Sequence, residues 1–167
     1  MLRAIHAIFD TSDLPCIEAF RKRFDPLFPH IQAHLTVVFP FDLPVSDEAL
    51  LAHGQTCTEG LRAFSMELQR AECSTDDHFW LSVRPSPTLE ELTRRLHEGP
   101  LAPLAVRQFG ATPHITLARP PLPPDLQEEF LKLSLHFPFS RTITSILLEA
   151  IEPEGGSLEL GRFSLPE

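Results

Sequence analysis

Two short stretches, AHLTVVFPF at residues 33–41 and PHITLARPP at residues 113–121, read as one strand written twice. An offset of 80 positions lays His34 on His114, Thr36 on Thr116 and Pro40 on Pro120. The surrounding pattern repeats with them. Residues 2–9 (LRAIHAIF) read as a strand. Residues 13–28 (DLPCIEAFRKRFDPLF) have helical spacing, with Leu14 at the start, Ile17, Phe20 and Phe24 on one face, Ser12 or Asp13 as a cap and Pro15 in the first turn. HLTVVF is the next strand, residues 46–61 a helix that Gly54 weakens, and residues 64–73 an alternating strand. The series then begins again: a strand over 77–85, a helix over 86–96 capped by Ser86, the strand PHITLAR, a helix over 123–135 and a strand over 139–151. One more strand, 156–165, returns across the turn at Gly155 and Gly156.

A chain patterned this way is predicted to be α+β: a bilobed, pseudo-twofold duplication with two largely antiparallel sheets around a central cleft and helices outside. One bilobed unit over residues 1–167 is expected, with the repeat boundary near 73–77 and lobes that need not be contiguous halves.

Side chains alternate across a strand, so Leu35, Val37 and Phe39 share one face and His34, Thr36 and Val38 the other. Likewise Ile115 and Leu117 oppose His114, Thr116 and Ala118. Each strand thus has an apolar face for packing and a face carrying an imidazole beside a hydroxyl. A twofold axis would bring the polar faces together. Two imidazoles, titrating near neutrality, can divide the base and acid roles, while the hydroxyls hold non-bridging oxygens of a phosphate. Such a set suits opening of a 2′,3′-cyclic phosphate without a metal.

Composition narrows the partners. The net charge of −9 leaves no basic face for a long duplex, and the densest basic run, FRKRF at 20–24, reads as the solvated side of a helix. Small or single-stranded substrates fit better. The three cysteines, Cys16, Cys57 and Cys73, have no metal-ligand spacing and suit reduced thiols in the cytoplasm. The first residues turn acidic too soon for a signal peptide, and no apolar run approaches a membrane span.

The motifs HLTVVF and HITLAR, with LRAIHAIFD at the start and the hairpin LLEAIEPEGGSLELGRFSL at the close, resemble the paired H-x-T-x motifs of the 2H phosphoesterase superfamily, and among these the bacterial 2′-5′ RNA ligase and cyclic phosphodiesterase group. The resemblance implies metal- and ATP-independent hydrolysis of 2′,3′-cyclic phosphates to 2′-phosphates, in some members with 2′-5′ RNA ligation. It implies His34 and His114 as the acid–base pair and Thr36 and Thr116 as phosphate ligands. It also implies Phe39 as an aromatic that stacks on a base and Arg119 as a phosphate-binding arginine. It implies no cofactor; the expected partners are RNA ends, 2′-5′ oligonucleotides or cyclic nucleotides, met by a monomer. Strict alternation points Phe39 and Arg119 away from the histidine face, although both stand just before prolines where a strand ends and twists. Trp80 and His78 share a strand face that reads as core or boundary packing, with lining the cleft and stacking on a base as the alternative; His6 reads as a residue able to face the cleft, and His30, His53, His97 and His136 as ordinary histidines. Two other functions compete: a nucleotide-binding module without catalysis, and a metal hydrolase using His34, His114 and nearby acids such as Asp42.

Overall fold

The computed structural model describes residues 1–12, 14–73, 78–105, 112–120, 122, 126–134, 139–153 and 155–167. In chain order they form β1 (Arg3–Phe9), α1 (Pro15–Phe24), β2 (His34–Phe41), α2 (Asp47–Thr58), β3 (Phe64–Cys73), β4 (Phe79–Arg84), α3 (Pro87–Leu96), a 3-10 turn (Gly99–Leu104), β5 (His114–Ala118), α4 (Leu126–Ser134), β6 (Phe139–Ile151) and β7 (Ser157–Ser164). Every strand and α-helix follows the sequence pattern; the 3-10 turn does not. The expected repeat boundary falls largely on residues 74–77, outside the described residues.

Local chemistry sets the helix ends. Ser46 and Ser86 cap α2 and α3 by accepting the backbone N–H groups of Ala49 and Leu89. At α1 the expected serine or aspartate cap is replaced by Leu14, with no side-chain cap bond; Ser12 instead donates its backbone N–H to Asp10, and Asp13 lies outside the described residues. The predicted helix over 13–28 stops at Phe24 because Asp25 precedes Pro26, and a residue before proline is driven out of the helical region.

The expectation of two sheets is overturned. All the strands join one curled antiparallel sheet in the order β2-β1-β6-β3-β4-β5, with β7 also paired to β6. The physical reason is an exchange of third strands. β6 pairs with β1 over Ile143–Ala150, and β3 pairs with β4, so each half's outer strand pair takes its third strand from the other half. The two exchanged strands then pair with each other, from Phe64 opposite Ile143 to Leu68 opposite Phe139. Exchanging β1 with β4, β2 with β5 and β3 with β6 reverses the strand order onto itself. The helices lie outside, with Ile17, Phe20 and Phe24 of α1 and Leu89, Leu92 and Leu96 of α3 buried. No helix among the described residues is long and apolar enough to cross a membrane.

β2 and β5 are the ends of the sheet order, and the curl brings them into contact. Their apolar faces hold them: Leu35, Val37, Ile115 and Leu117 are all at most 1% exposed. Each such side chain contributes about 1.5–3 kcal/mol by leaving water.

Gly54, unfavourable in a helix by propensity, is required by packing. A Cβ there would stand 2.5 Å from Cε2 and Cζ of the buried Phe163 ring on β7. Gly54→Ala is therefore expected to destabilise the protein by about 1–3 kcal/mol, overpacking outweighing the helix gain of about 1 kcal/mol. Urea unfolding reads the difference, and an unchanged or raised midpoint contradicts this packing.

Candidate active site

The two motif strands are built alike to the level of single bonds. His34 opens β2 and His114 opens β5, each half-buried. Nδ1–H of His34 donates to the Gln32 carbonyl at 2.8 Å, and Nδ1–H of His114 donates to the Thr112 carbonyl at 2.8 Å. A carbonyl only accepts, so both rings carry their hydrogen on Nδ1. Nε2 is left as the nitrogen for proton transfer: an acceptor in the neutral ring, a donor in the cation.

Both strands also bulge immediately after the threonine. His6 pairs with Thr36 but Ile5 with Val38, and Trp80 pairs with Thr116 but Phe79 with Ala118. One extra residue is thus inserted at Val37 and at Leu117. As a result Val37 and Val38 are both buried, as are Leu117 and Ala118. A bulge resets the alternation of side chains beyond it. This corrects the strict-alternation reading of Phe39 and Arg119: both turn back toward the motif histidines. Phe39 is 36% exposed, with its ring centroid 6.3 Å from that of His114.

Arg119 pairs with the buried Asp25 carboxylate, which also pairs with Arg21 of α1 at 3.0 Å. Arg21 further donates to the Ile31 carbonyl at 2.8 Å and is 1% exposed, so the basic run at 20–24 is not all solvated face. Two guanidinium groups on one carboxylate leave a net positive charge, and its field reaches His34. The sequence gives no sign of this, because Asp25 and Arg119 stand 94 positions apart.

A cavity of about 630 Å³ opens beside the seam, within the range of small-molecule sites. Thr36 and Phe39 from β2 and His114 from β5 line it, and Glu90, Thr93 and Arg94 of α3, with His97 just past its end, lie along its wall. The motifs thus meet across it, although His34, Thr116 and Arg119 lie outside its lining. Among the described residues, no group of three or more His, Cys, Asp and Glu side chains is placed to hold a metal ion.

Behind each motif histidine lies another ring. Trp80 on β4 packs on His114 with centroids 4.8 Å apart, and His6 on β1 packs on His34 at 3.9 Å. Trp80 is therefore a neighbour of the site and more than boundary packing. The correspondence is hidden in the sequence because 28 positions separate His6 from His34 but 34 separate Trp80 from His114. The sign that finds it is strand register, His6 and Trp80 each facing a motif threonine. His6 is itself bonded through Nδ1 to Glu149 of β6 at 2.5 Å, and Ser157 of β7 donates to the other carboxylate oxygen at 2.8 Å.

Burial, the charge of His6 and the fields of Arg119 and Arg21 hold the His34 ring well below the ordinary histidine pKa, against the opposing pull of the Gln32 carbonyl. Burial pushes Glu149 up, but its bonds and charge interaction with His6 and the Ser157 hydroxyl outweigh this and leave it below the ordinary carboxylate value.

The sequence pattern of the 2′-5′ RNA ligase superfamily matches residues 9–152. A candidate phosphoesterase of Geobacillus sp. (strain WCH70) is 33% identical over 110 residues, 60% of this chain and 59% of that protein. Another, from Bacillus cytotoxicus, is 24% identical over 102 residues, 59% of this chain and 58% of its own. These matches span less than two thirds of either relative's length. Among solved structures, the crystal structure of a phosphoesterase superimposes with a TM-score of 0.67 at 20% identity over 99% of both chains. The Escherichia coli LigT complex with 3′-AMP superimposes with a TM-score of 0.66 at 21% identity, over 99% of this chain and 98% of that one.

The His34 environment has a consequence for folding. The unfolded ring takes up a proton near its ordinary value of 6.5, whereas the folded ring resists it until lower pH. The unfolded state therefore binds more protons in that window, and stability falls as the pH drops below 6.5. Urea midpoints measured from about pH 7 to about pH 5 should decline in wild type and decline less in His34→Gln. Parallel curves would show that His34 protonates alike in both states.

Proposed function

The chain belongs to the 2′-5′ RNA ligase superfamily, a branch of the 2H phosphoesterases, and from that premise we propose that it opens 2′,3′-cyclic phosphates of RNA ends or nucleotides to 2′-phosphates, without metal or ATP. The observation that carries this reading is the pair of equivalent imidazoles on β2 and β5, each with Nδ1 locked to a carbonyl two residues upstream. One Nε2 takes the proton of an attacking water and the other returns a proton to the departing ribose O3′. A bond forms from the water oxygen to phosphorus, the bond from phosphorus to O3′ breaks, and the 2′ ester remains.

The neighbouring groups suit the other parts of such a substrate. The hydroxyls of Thr36 and Thr116 hold the non-bridging oxygens. The positive charge left by Arg21 and Arg119 on Asp25 favours a bound anion. Phe39, exposed on the cavity wall, offers a face for a base. A ribose 5′-hydroxyl in place of water would give a 2′-5′ linkage by the same proton transfers. LigT, of the same fold, has been crystallised with 3′-AMP, ATP and NADP⁺; here nucleotides and RNA ends are the proposed ligands.

Incubation with a nucleoside 2′,3′-cyclic phosphate in excess EDTA, followed by ³¹P NMR, should show a 2′-phosphate as the product. His34→Ala and His114→Ala should each slow turnover by roughly 10²–10⁴-fold. Turnover that EDTA abolishes, or that survives loss of either histidine, overturns the mechanism. Calorimetric binding of the nucleotide with no product over hours would leave a binding module instead.

A further inference from the structure

The two halves match in their motif strands and differ in what lies behind them. His114 rests on a neutral indole, while His34 rests on a second imidazole. That imidazole, His6, is 4% exposed and its partner Glu149 6% exposed. A buried ionisable pair is a costly way to fill a space that an apolar ring fills in the other half. The pair is also held firmly: Ser157 donates to the far carboxylate oxygen of Glu149, and the β6–β7 hairpin that carries both turns at Gly155 with φ of 84°.

We propose that His6 is a positioning residue: bonded through Nδ1 to the buried Glu149 carboxylate and stacked on His34, it fixes His34 as the base and His114 as the acid. This rests on the phosphodiesterase reading above. A carboxylate on Nδ1 of His6 favours a proton on that ring, and a proton on His6 at ring-stacking distance opposes one on His34. The other charged groups that act on His34 have the same sign: Arg119 at the end of β5 and Arg21 of α1. Arg162 of β7 acts on Glu149 and helps to keep it a carboxylate. His34 Nε2 then accepts the proton of water as the new bond to phosphorus forms, and His114 Nε2–H gives its proton to O3′ as that oxygen leaves.

His6→Phe keeps an aromatic ring behind His34 and removes the charge, while His6→Phe with Glu149→Gln also neutralises the buried carboxylate in case the single variant folds poorly. The ring-carbon NMR signal of His34, assigned with His34→Gln, should titrate at higher pH in both than in wild type, and the acidic limb of the kcat/KM profile should move with it. A purely structural role predicts no movement, and an unmoved His34 midpoint overturns the proposal whatever the activity. A moved midpoint in a protein that never turns over cyclic phosphate overturns the reaction above and not the pairing. The roles are read with a cyclic phosphate carrying sulfur at the 3′ bridging position, whose thiolate leaves without a proton. On it His114→Ala should lose at least about tenfold less activity than on the oxygen substrate, while His34→Ala loses as much. The reverse pattern overturns the assignment.

Discussion

The backbone pairing of β3 with β6 is the bond on which the site depends. It runs from Phe64 opposite Ile143 to Leu68 opposite Phe139 and is made by the two strands that the halves exchange. Without it there would be two small sheets, β2-β1-β6-β7 and β5-β4-β3, each with an open motif strand at one edge. With it the sheet is continuous and curls until β2 and β5 meet. The motif strands are adjacent in space because they are farthest apart in the sheet.

This accounts for what the sequence reveals and what it conceals. Alternation in HLTVVF and HITLA was enough to place Leu35, Val37, Ile115 and Leu117 in the core and to leave the histidines and threonines half-buried, since that depends on neighbours in the chain. Which strand pairs with which depends on residues tens of positions away, and periodicity carries no information on it. The same holds for the bulges. Val37 and Leu117 look like ordinary strand residues, and only the register against β1 and β4 exposes the extra residue that turns Phe39 and Arg119 around. Asp25, which anchors Arg119 and Arg21, falls inside the helix expected over 13–28, and nothing beside it in the sequence marks it as their partner.

The duplication supplies two imidazoles in equivalent settings, and the proposed hydrolysis needs them to differ. Difference enters through positions the motifs do not specify: His6 against Trp80, Phe39 against Arg119, and the Asp25 cluster whose arginines act on His34. A symmetric scaffold with unequal surroundings gives a site in which burial and neighbouring positive charge oppose protonation of His34. Its architecture is held by buried apolar faces, leaving the polar faces of β2 and β5 open to the chemistry.

The central claim is that Nε2 of His34 and Nε2 of His114 address one phosphorus atom from opposite sides. A crystal structure with a nucleoside 2′,3′-cyclic vanadate tests it most directly. The vanadium centre should lie between the two rings, with an oxygen within hydrogen-bond reach, about 3 Å, of each Nε2 and the hydroxyls of Thr36 and Thr116 on the remaining oxygens. Vanadate bound elsewhere, or touching one motif histidine while the other faces away, would contradict the account.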